Sequence, residues 1–88
     1  MSVAVHLSSH MRSYTGGRSD VEADGATLAE LVADMDRRFP GIRFRMIDEQ
    51  VQIRPHVNFF VSGSLTRDLG TRLQNGNEVA ILGALSGG

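Results

Sequence analysis

The sequence predicts an α+β roll, in which a mixed sheet of four to five strands is covered on one face by one main helix. Three observations predict this fold class. Residues 27–39 carry an apolar stripe at helical spacing, alternating apolar residues lie on both sides of that segment, and Gly16-Gly17 marks a turn within the first alternating region. A helix with a single apolar stripe requires a sheet face to cover.

The N-terminal part of the chain predicts a β-hairpin. Val3, Val5 and Leu7 alternate with small or polar residues, which is the period of a half-buried strand. Alternation resumes after the glycine turn with Val21 and Ala23. We therefore expect the first two strands to be antiparallel neighbours.

The helix has recognisable start and stop signals. Thr27 and Glu30 have the spacing of a capping box, in which a hydroxyl and a carboxylate satisfy backbone donors at the helix start. Pro40 cannot continue the helix, and the arginines at 37 and 38 suit the negative end of its dipole. The stripe that should face the sheet consists of Leu28, Leu31, Val32, Met35 and Phe39.

The second half of the chain predicts a third strand in which Val57, Phe59 and Val61 face the helix. A short irregular strand is expected around residues 51–53. Residues 64–78 are polar and rich in turn signals.

The last predicted strand carries Val79 and Ile81 on its inward side. Because the helix returns the chain across the sheet, the first and last strands can lie side by side, parallel and central. The opposite face of such a sheet has no predicted cover.

Composition excludes several classes of function. The 88 residues suffice for one domain, and they contain no cysteine, which excludes disulfides and thiol chemistry on the chain itself. A net charge of −1 without a basic patch argues against nucleic acid or a membrane surface as partner. No apolar run approaches the length of a membrane-spanning helix, and no leader pattern is expected, so a cytoplasmic location is predicted.

The titratable residues predict neither a metal site nor an acid/base pair. His6 and His10 are four residues apart, but in a strand this spacing does not form a metal-binding pair, and we expect no metal site. His56 has no candidate nucleophile or carboxylate beside it. The acidic pairs at 34/36 and 48/49 are interpreted as solvated charge.

Four stretches carry a resemblance to a known family. They are "TLAELVADMDRRFPGIR", "RPHVNFFVSG", "LQNGNEVAIL" and the terminal "SGG". The chain resembles the MoaD/ThiS family of ubiquitin-like sulfur carriers, and "MRSYTGG" and "IRPHVNFFV" are most similar to the carrier of actinobacterial cysteine biosynthesis. The resemblance implies a β-grasp fold over residues 1–82. The sequence departs from the family pattern at Ser64, where an acidic residue is common, and at Gly83, where proline is common.

The resemblance implies that the chemistry lies at the C-terminus. In this family an ATP-dependent enzyme adenylates the terminal glycine, here Gly88, and a sulfur nucleophile then converts it to a thiocarboxylate. The chain has no phosphate-binding glycine loop, so ATP belongs to the adenylating partner and no cofactor is expected on the chain itself. Residues 83–88 are expected to form a flexible tail that enters the partner's active site, with a reach of roughly 20 Å. The residues presented before Gly88 are Gly83, Ala84, Leu85, Ser86 and Gly87.

The remaining expectations concern partners. A sulfur-accepting synthase is implied besides the adenylating or sulfurtransferase enzyme, and the carrier alone is expected to be a monomer. Phe60 is a candidate anchor for docking if it faces away from the helix, and the alternative is that it packs under the segment near Met46 and Ile47. The small subunit of a molybdopterin synthase, a ubiquitin-like modifier and a non-covalent interaction module with an inert tail stay open as alternatives, and the sequence does not identify the sulfur acceptor.

Overall fold

The computed structural model describes residues 2–83. Five strands and two α-helices follow one another along the chain, with a 3₁₀-helix, Ser9–Tyr14, between the first two strands. The bounds of the strands and α-helices are β1 Ser2–Leu7, β2 Asp20–Asp24, α1 Leu28–Arg38, α2 Ile42–Met46, β3 Val57–Val61, β4 Ser64–Thr66 and β5 Glu78–Gly83.

The five strands form one mixed sheet in the order β2-β1-β5-β3-β4. β1 and β5 are parallel and central, and all other pairs of neighbouring strands are antiparallel. The predicted hairpin and the predicted parallel central pair are therefore confirmed. β4, a three-residue strand in the region expected to be turn-rich, is the fifth strand.

The core lies between α1 and one face of the sheet. Val3, Val5 and Leu7 are buried while their neighbours in β1 are exposed, so the predicted alternation is confirmed. The largest fully buried side chains are Phe59, Leu7, Met11, Leu28, Leu31, Met35, Ile42, Met46, Ile47 and Ile81.

The start of α1 differs in one detail from a reciprocal capping box. Thr27 Oγ1 accepts from the N–H of Glu30 at 3.2 Å, as predicted. The Glu30 carboxylate, however, accepts from the N–H of Ala26 at 3.0 Å, one residue before the cap. The helix ends at Arg38, so Phe39 lies beyond it as the C-cap residue before Pro40, although its side chain still packs against the core.

Asp34 corrects the interpretation of the acidic pair in α1 as solvated charge. It is only 7% exposed. Its carboxylate accepts from the N–H of Asp24 at 2.8 Å and from Arg38 Nε at 2.9 Å, and it also forms an ion pair with Arg37. These partners compensate the cost of removing the charge from water, and they tie α1 to the end of β2.

The sequence did not predict α2, because a helix of five residues is too short to show a helical period. Ile42 and Met46, one turn apart, are both fully buried. Asp36, the second of the residues expected to be solvated, accepts from the N–H groups of Gly41 and Arg43, each at 3.1 Å. Asp36 therefore joins the end of α1 to the start of α2.

The irregular strand expected around residues 51–53 was wrong in extent. The extended pairing there is a single bridge between Ile47 and Ile53. Asp48 Oδ1 instead holds a turn by accepting from backbone N–H groups that include that of Gln52, at 3.0 Å. Val51 is exposed in this turn with a φ of 60°, a conformation that a β-branched residue rarely adopts.

Candidate functional site

The sheet includes one residue more than the predicted boundary between domain and tail. Gly83 was expected to begin the tail, but it is the last residue of β5 and pairs with Val57 of β3. A glycine normally weakens a strand. Here a hydrogen bond on the side of β1 holds Gly83 in place. The other predicted tail residues and the proposed covalent site, Ala84, Leu85, Ser86, Gly87 and Gly88, lie outside the described residues.

Ser8 holds the end of β5 on the side of β1. Its N–H donates to the carbonyl of Ile81 at 3.1 Å, and its Oγ accepts from the N–H of Gly83 at 3.0 Å. The two partners are 75 residues apart along the chain. Sequence reasoning missed Ser8, because a serine at the end of a strand gives no signal about a partner so distant.

Arg67 holds the neighbouring strand, β3, at the position that flanks Gly83. Its Nη1 donates to the carbonyl of Val57 at 2.6 Å and to Asn58 Oδ1 at 3.2 Å. Its Nη2 donates to the carbonyls of Ile53 and Arg54 at 3.0 and 2.9 Å. The end of β5 therefore lies between two strands whose ends are fixed by side chains.

The sheet face opposite α1 carries an apolar patch. Phe60 pairs with Ala80 of β5 on one side and with Leu65 of β4 on the other, so the three side chains form a row across the sheet. Leu82 lies on the same face one step toward the end of β5. Leu65 and Leu82 are 58% and 39% exposed, whereas Phe60 is half-buried. We call Phe60, Leu65, Ala80 and Leu82 the apolar patch.

The position of Phe60 decides between the two sequence interpretations. Met46 and Ile47 are almost fully buried in the core on the helix side. Phe60 instead lines a shallow concavity together with Ala4 and His6 on the opposite face. The interpretation of Phe60 as facing away from the helix is confirmed, and packing under Met46 and Ile47 is wrong. Leu65 was missed because an isolated leucine among polar residues gives no period, and Leu82 was missed because it lies within an apolar run that does not show which face it occupies.

Acidic side chains border the apolar patch toward β2 and at the start of β5. Asp20 and Glu22 of β2 and Glu78 of β5 are exposed and flank the row of small and aromatic residues. His6 Nδ1 lies 2.8 Å from Asp20 Oδ1 on this side. The hydrogen bond from His6 is the main reason that the pKa of Asp20 lies below its ordinary value, and a weaker bond from Ser19 acts in the same direction.

The described residues provide neither a metal-binding cluster nor a partner for His56. Within residues 2–83 no three histidine or carboxylate side chains come close enough together to bind a metal ion. His56 lies in the turn before β3, and its ring has no hydrogen-bond partner in the described part of the chain. The side chain of His10 lies outside the described residues, while its backbone belongs to the 3₁₀-helix.

No helix within residues 2–83 combines the length and the apolar character that crossing a membrane requires.

Comparison with known proteins extends along the whole chain. The sulfur carrier protein CysO of Mycobacterium tuberculosis is 33% identical over 93 residues, an alignment that covers 100% of both chains. The crystal structure of the BexX/CysO complex of Amycolatopsis orientalis contains a chain with a TM-score of 0.89 and 32% identity, covering 98% of this chain and 99% of that one. These matches confirm the resemblance to the carrier of actinobacterial cysteine biosynthesis.

A more distant structure shares the fold. Small archaeal modifier protein 1 of Haloferax volcanii has a TM-score of 0.85 at 22% identity, and the alignment covers 100% of both chains. This likeness confirms the ubiquitin-like β-grasp architecture and is too remote in sequence to carry a function. The family model described as the ThiS family matches residues 5–88. By this match over nearly the whole sequence, the chain belongs to the ThiS family.

Proposed function

We propose that this chain is a sulfur carrier whose C-terminal Gly88 is adenylated by an ATP-dependent partner and then converted to a thiocarboxylate. The observation that carries the proposal is the end-to-end similarity to a curated sulfur carrier protein at 33% identity. The geometry of the sheet is compatible with this proposal. β5 is the central strand, and its last residue, Gly83, directly precedes residues 84–88.

The chemistry begins from an unreactive group. A terminal carboxylate has an ordinary pKa of about 3.5, so at neutral pH it is an anion and a poor electrophile. In the partner's active site a carboxylate oxygen attacks the α-phosphorus of ATP, and pyrophosphate leaves. Hydrosulfide then attacks the acyl carbon of the adenylate, AMP leaves, and the terminal group becomes a thiocarboxylate without any change in oxidation state.

The tail residues serve this chemistry by their small size. Gly87 and Gly88 lack Cβ atoms, so their backbone can approach a nucleotide closely and accept unusual dihedral angles. Ala84, Leu85 and Ser86 keep the preceding chain narrow. Because all of the covalent chemistry takes place on the terminal carboxyl group, the carrier acts as a substrate of its partners and not as an enzyme.

The apolar patch is the docking surface that we assign to the adenylating enzyme. An exposed apolar surface beside the strand that leads to the reactive end allows the body to bind while the tail enters a buried site. The acidic border formed by Asp20, Glu22 and Glu78 favours a partner that presents apolar side chains next to arginine or lysine. A second partner, a sulfur-accepting synthase, takes the sulfur from the thiocarboxylate.

The carrier is proposed to work in the cytoplasm as a monomer, and it binds no cofactor of its own. ATP is consumed by the adenylating partner. The acceptor belongs to cysteine biosynthesis or to the synthesis of a sulfur-containing metabolite, in keeping with the relatives named CysO.

Intact-mass spectrometry tests the proposal. The carrier is incubated with ATP, Mg²⁺, sulfide and the adenylating enzyme encoded in the same genome. We expect a mass increase equal to the replacement of one oxygen by one sulfur, and no such increase for a variant that lacks Gly88. Failure of the wild-type chain to gain this mass would contradict the proposal.

Two further experiments separate the alternatives. A protein modifier would give conjugates of higher mass in cell extracts, and these would disappear when Gly88 is removed. A molybdopterin synthase subunit would copurify in a stable complex with one larger subunit. An interaction module with an inert tail would give neither product.

A further inference from the structure

The side chain of Ser8 completes the ladder of hydrogen bonds between β1 and β5. The last backbone pair between these strands is Leu7 with Ile81, so the next position would set Ser8 opposite Leu82. In a parallel ladder the N–H and the C=O of such a residue would both bond to the opposite strand, the N–H to Ile81 and the C=O to Gly83.

The backbone of Ser8 makes only one of these two hydrogen bonds. The N–H of Ser8 donates to Ile81 O at 3.1 Å, but the carbonyl of Ser8 accepts from the N–H of Met11 at 3.0 Å, where the 3₁₀-helix begins. The Ser8 carbonyl is therefore engaged elsewhere when Gly83 needs an acceptor. The hydroxyl takes its place, since Ser8 Oγ accepts from the Gly83 N–H at 3.0 Å.

The hydroxyl has an alternative that it does not use. Ser8 stands at the N-cap of the 3₁₀-helix, where a serine side chain ordinarily accepts from a backbone N–H of the first turn. It makes no such capping bond. The side chain bonds to the end of β5 instead, so it stabilises the strand and does not cap the helix.

We propose that Ser8 is a positioning residue, which fixes the point at which the tail leaves the sheet and thereby the length of chain that is free to enter a partner's active site. This inference rests on the proposed function. With Gly83 held, five residues, 84–88, precede the reactive end, and they reach roughly 17 Å when extended. Release of Gly83 adds one freely rotating residue at the base of the tail.

The consequence for activity follows from the entropy of ordering that residue. Fixing the backbone of one residue has a free-energy cost equivalent to a roughly five- to thirty-fold change in an equilibrium. Val57 continues to flank Gly83 on the other side, so we expect the lower end of this range. The change should appear in the rate of adenylation and not in docking, because the apolar patch that we assign to docking is unaltered.

The test compares Ser8→Ala with wild type in adenylation by the enzyme encoded in the same genome, measured as pyrophosphate release. We expect kcat to fall about five-fold while the KM for the carrier stays within about two-fold. Ser8→Thr keeps the hydroxyl and should restore kcat. Ser13→Ala is the matched control, since Ser13 is exposed in the same 3₁₀-helix and its hydroxyl makes no hydrogen bond within the described residues.

A second measurement is independent of any partner. Amide hydrogen exchange at Gly83 should be faster in Ser8→Ala than in wild type, and restored in Ser8→Thr, while exchange at Val79 in the same strand stays protected. A variant that was merely less stable would lose protection at both positions and show a lower Tm.

The outcomes separate this inference from the proposed function. If wild type gains sulfur and Ser8→Ala is adenylated at the same kcat, the role of Ser8 is refuted while the carrier function stands. Unchanged protection of Gly83 in Ser8→Ala would refute it as well. If wild type is never adenylated, the carrier function is refuted and the positioning role with it. This holds even if hydrogen exchange shows that Ser8 protects the Gly83 amide.

Discussion

The guanidinium of Arg67 reaches the carbonyl of Val57 at 2.6 Å, and through this contact the loop after β4 holds the first residue of β3. The same side chain bonds the carbonyls of Ile53 and Arg54. A planar group with five N–H donors is suited to several acceptors at once, and an ammonium group is not. Arg67 therefore ties the loop after β4 to residues 53–58 and flanks the strand end beside Gly83.

Replacement of Arg67 should destabilise the fold. We expect Arg67→Ala to lower the free energy of unfolding by about 2 kcal/mol, because several carbonyls lose a charged donor, and Arg67→Lys to lose more than half of that amount. Urea denaturation followed by circular dichroism measures the change. Arg45→Ala is the control, since Arg45 is exposed and makes no ion pair or hydrogen bond within residues 2–83. Equal stability of the two alanine variants would contradict the structural role of Arg67.

The stability of the fold should be sensitive even to an isosteric change at Asp34. Asp34→Asn removes the charge that pairs with Arg37 and Arg38 while leaving a side-chain oxygen for the Asp24 N–H. We expect a loss of about 1–2 kcal/mol, and about 3 kcal/mol for Asp34→Ala, which removes the charge and both carboxylate oxygens from this buried position. Thermal unfolding of both variants measures these losses.

Glu49 offers the matched control for Asp34, because it is exposed and makes no bond within the described residues. Glu49→Gln should unfold at the wild-type temperature. If Asp34→Asn did the same, the burial of Asp34 would have no energetic role.

The apolar patch should control binding of the adenylating partner. We expect Phe60→Ala to weaken binding at least ten-fold, since an aromatic anchor at the centre of an interface commonly contributes about 2 kcal/mol. Phe44→Ala is the control, because Phe44 is 57% exposed on α2, away from the sheet face, and its ring contacts Arg54. Isothermal titration calorimetry measures both variants, and equal affinities would show that docking uses another surface.

The His6–Asp20 pair predicts a defined dependence on pH. The pKa of Asp20 is below its ordinary value because of the hydrogen bond from His6. A lowered folded-state pKa contributes stability that is present above the unfolded pKa and is lost as the pH falls through the folded one. His6→Gln should therefore raise the pKa of Asp20 and reduce stability only above the acidic range, by a small amount because Asp20 is fully exposed.

Carbon-13 titration of the Asp20 carboxyl by NMR measures this shift. Asp68, which has no contact with His6, serves as the internal reference in the same spectra. An Asp20 titration midpoint that did not rise in His6→Gln would refute the role of the hydrogen bond.

Much of the fold was predictable because its signals are local. The stripe from Leu28 to Met35 and the alternation in β1, β3 and β5 are properties of neighbouring residues, and they led directly to a helix on one face of a mixed sheet. The short elements were not predictable, since α2 and β4 contain too few residues to show a period. The turn that Asp48 holds similarly replaced an expected strand.

By itself the sequence determined the architecture, the absence of thiol chemistry and the placement of the expected reactive group at Gly88. Only the tertiary structure decided that Phe60 faces away from the core, that Asp34 is buried, and that β5 continues to Gly83. The physical reason is that each of these outcomes depends on a contact with another element of the fold. The hydroxyl of Ser8 is the acceptor for Gly83, 75 residues away, because its own carbonyl is already bonded to the N–H of Met11.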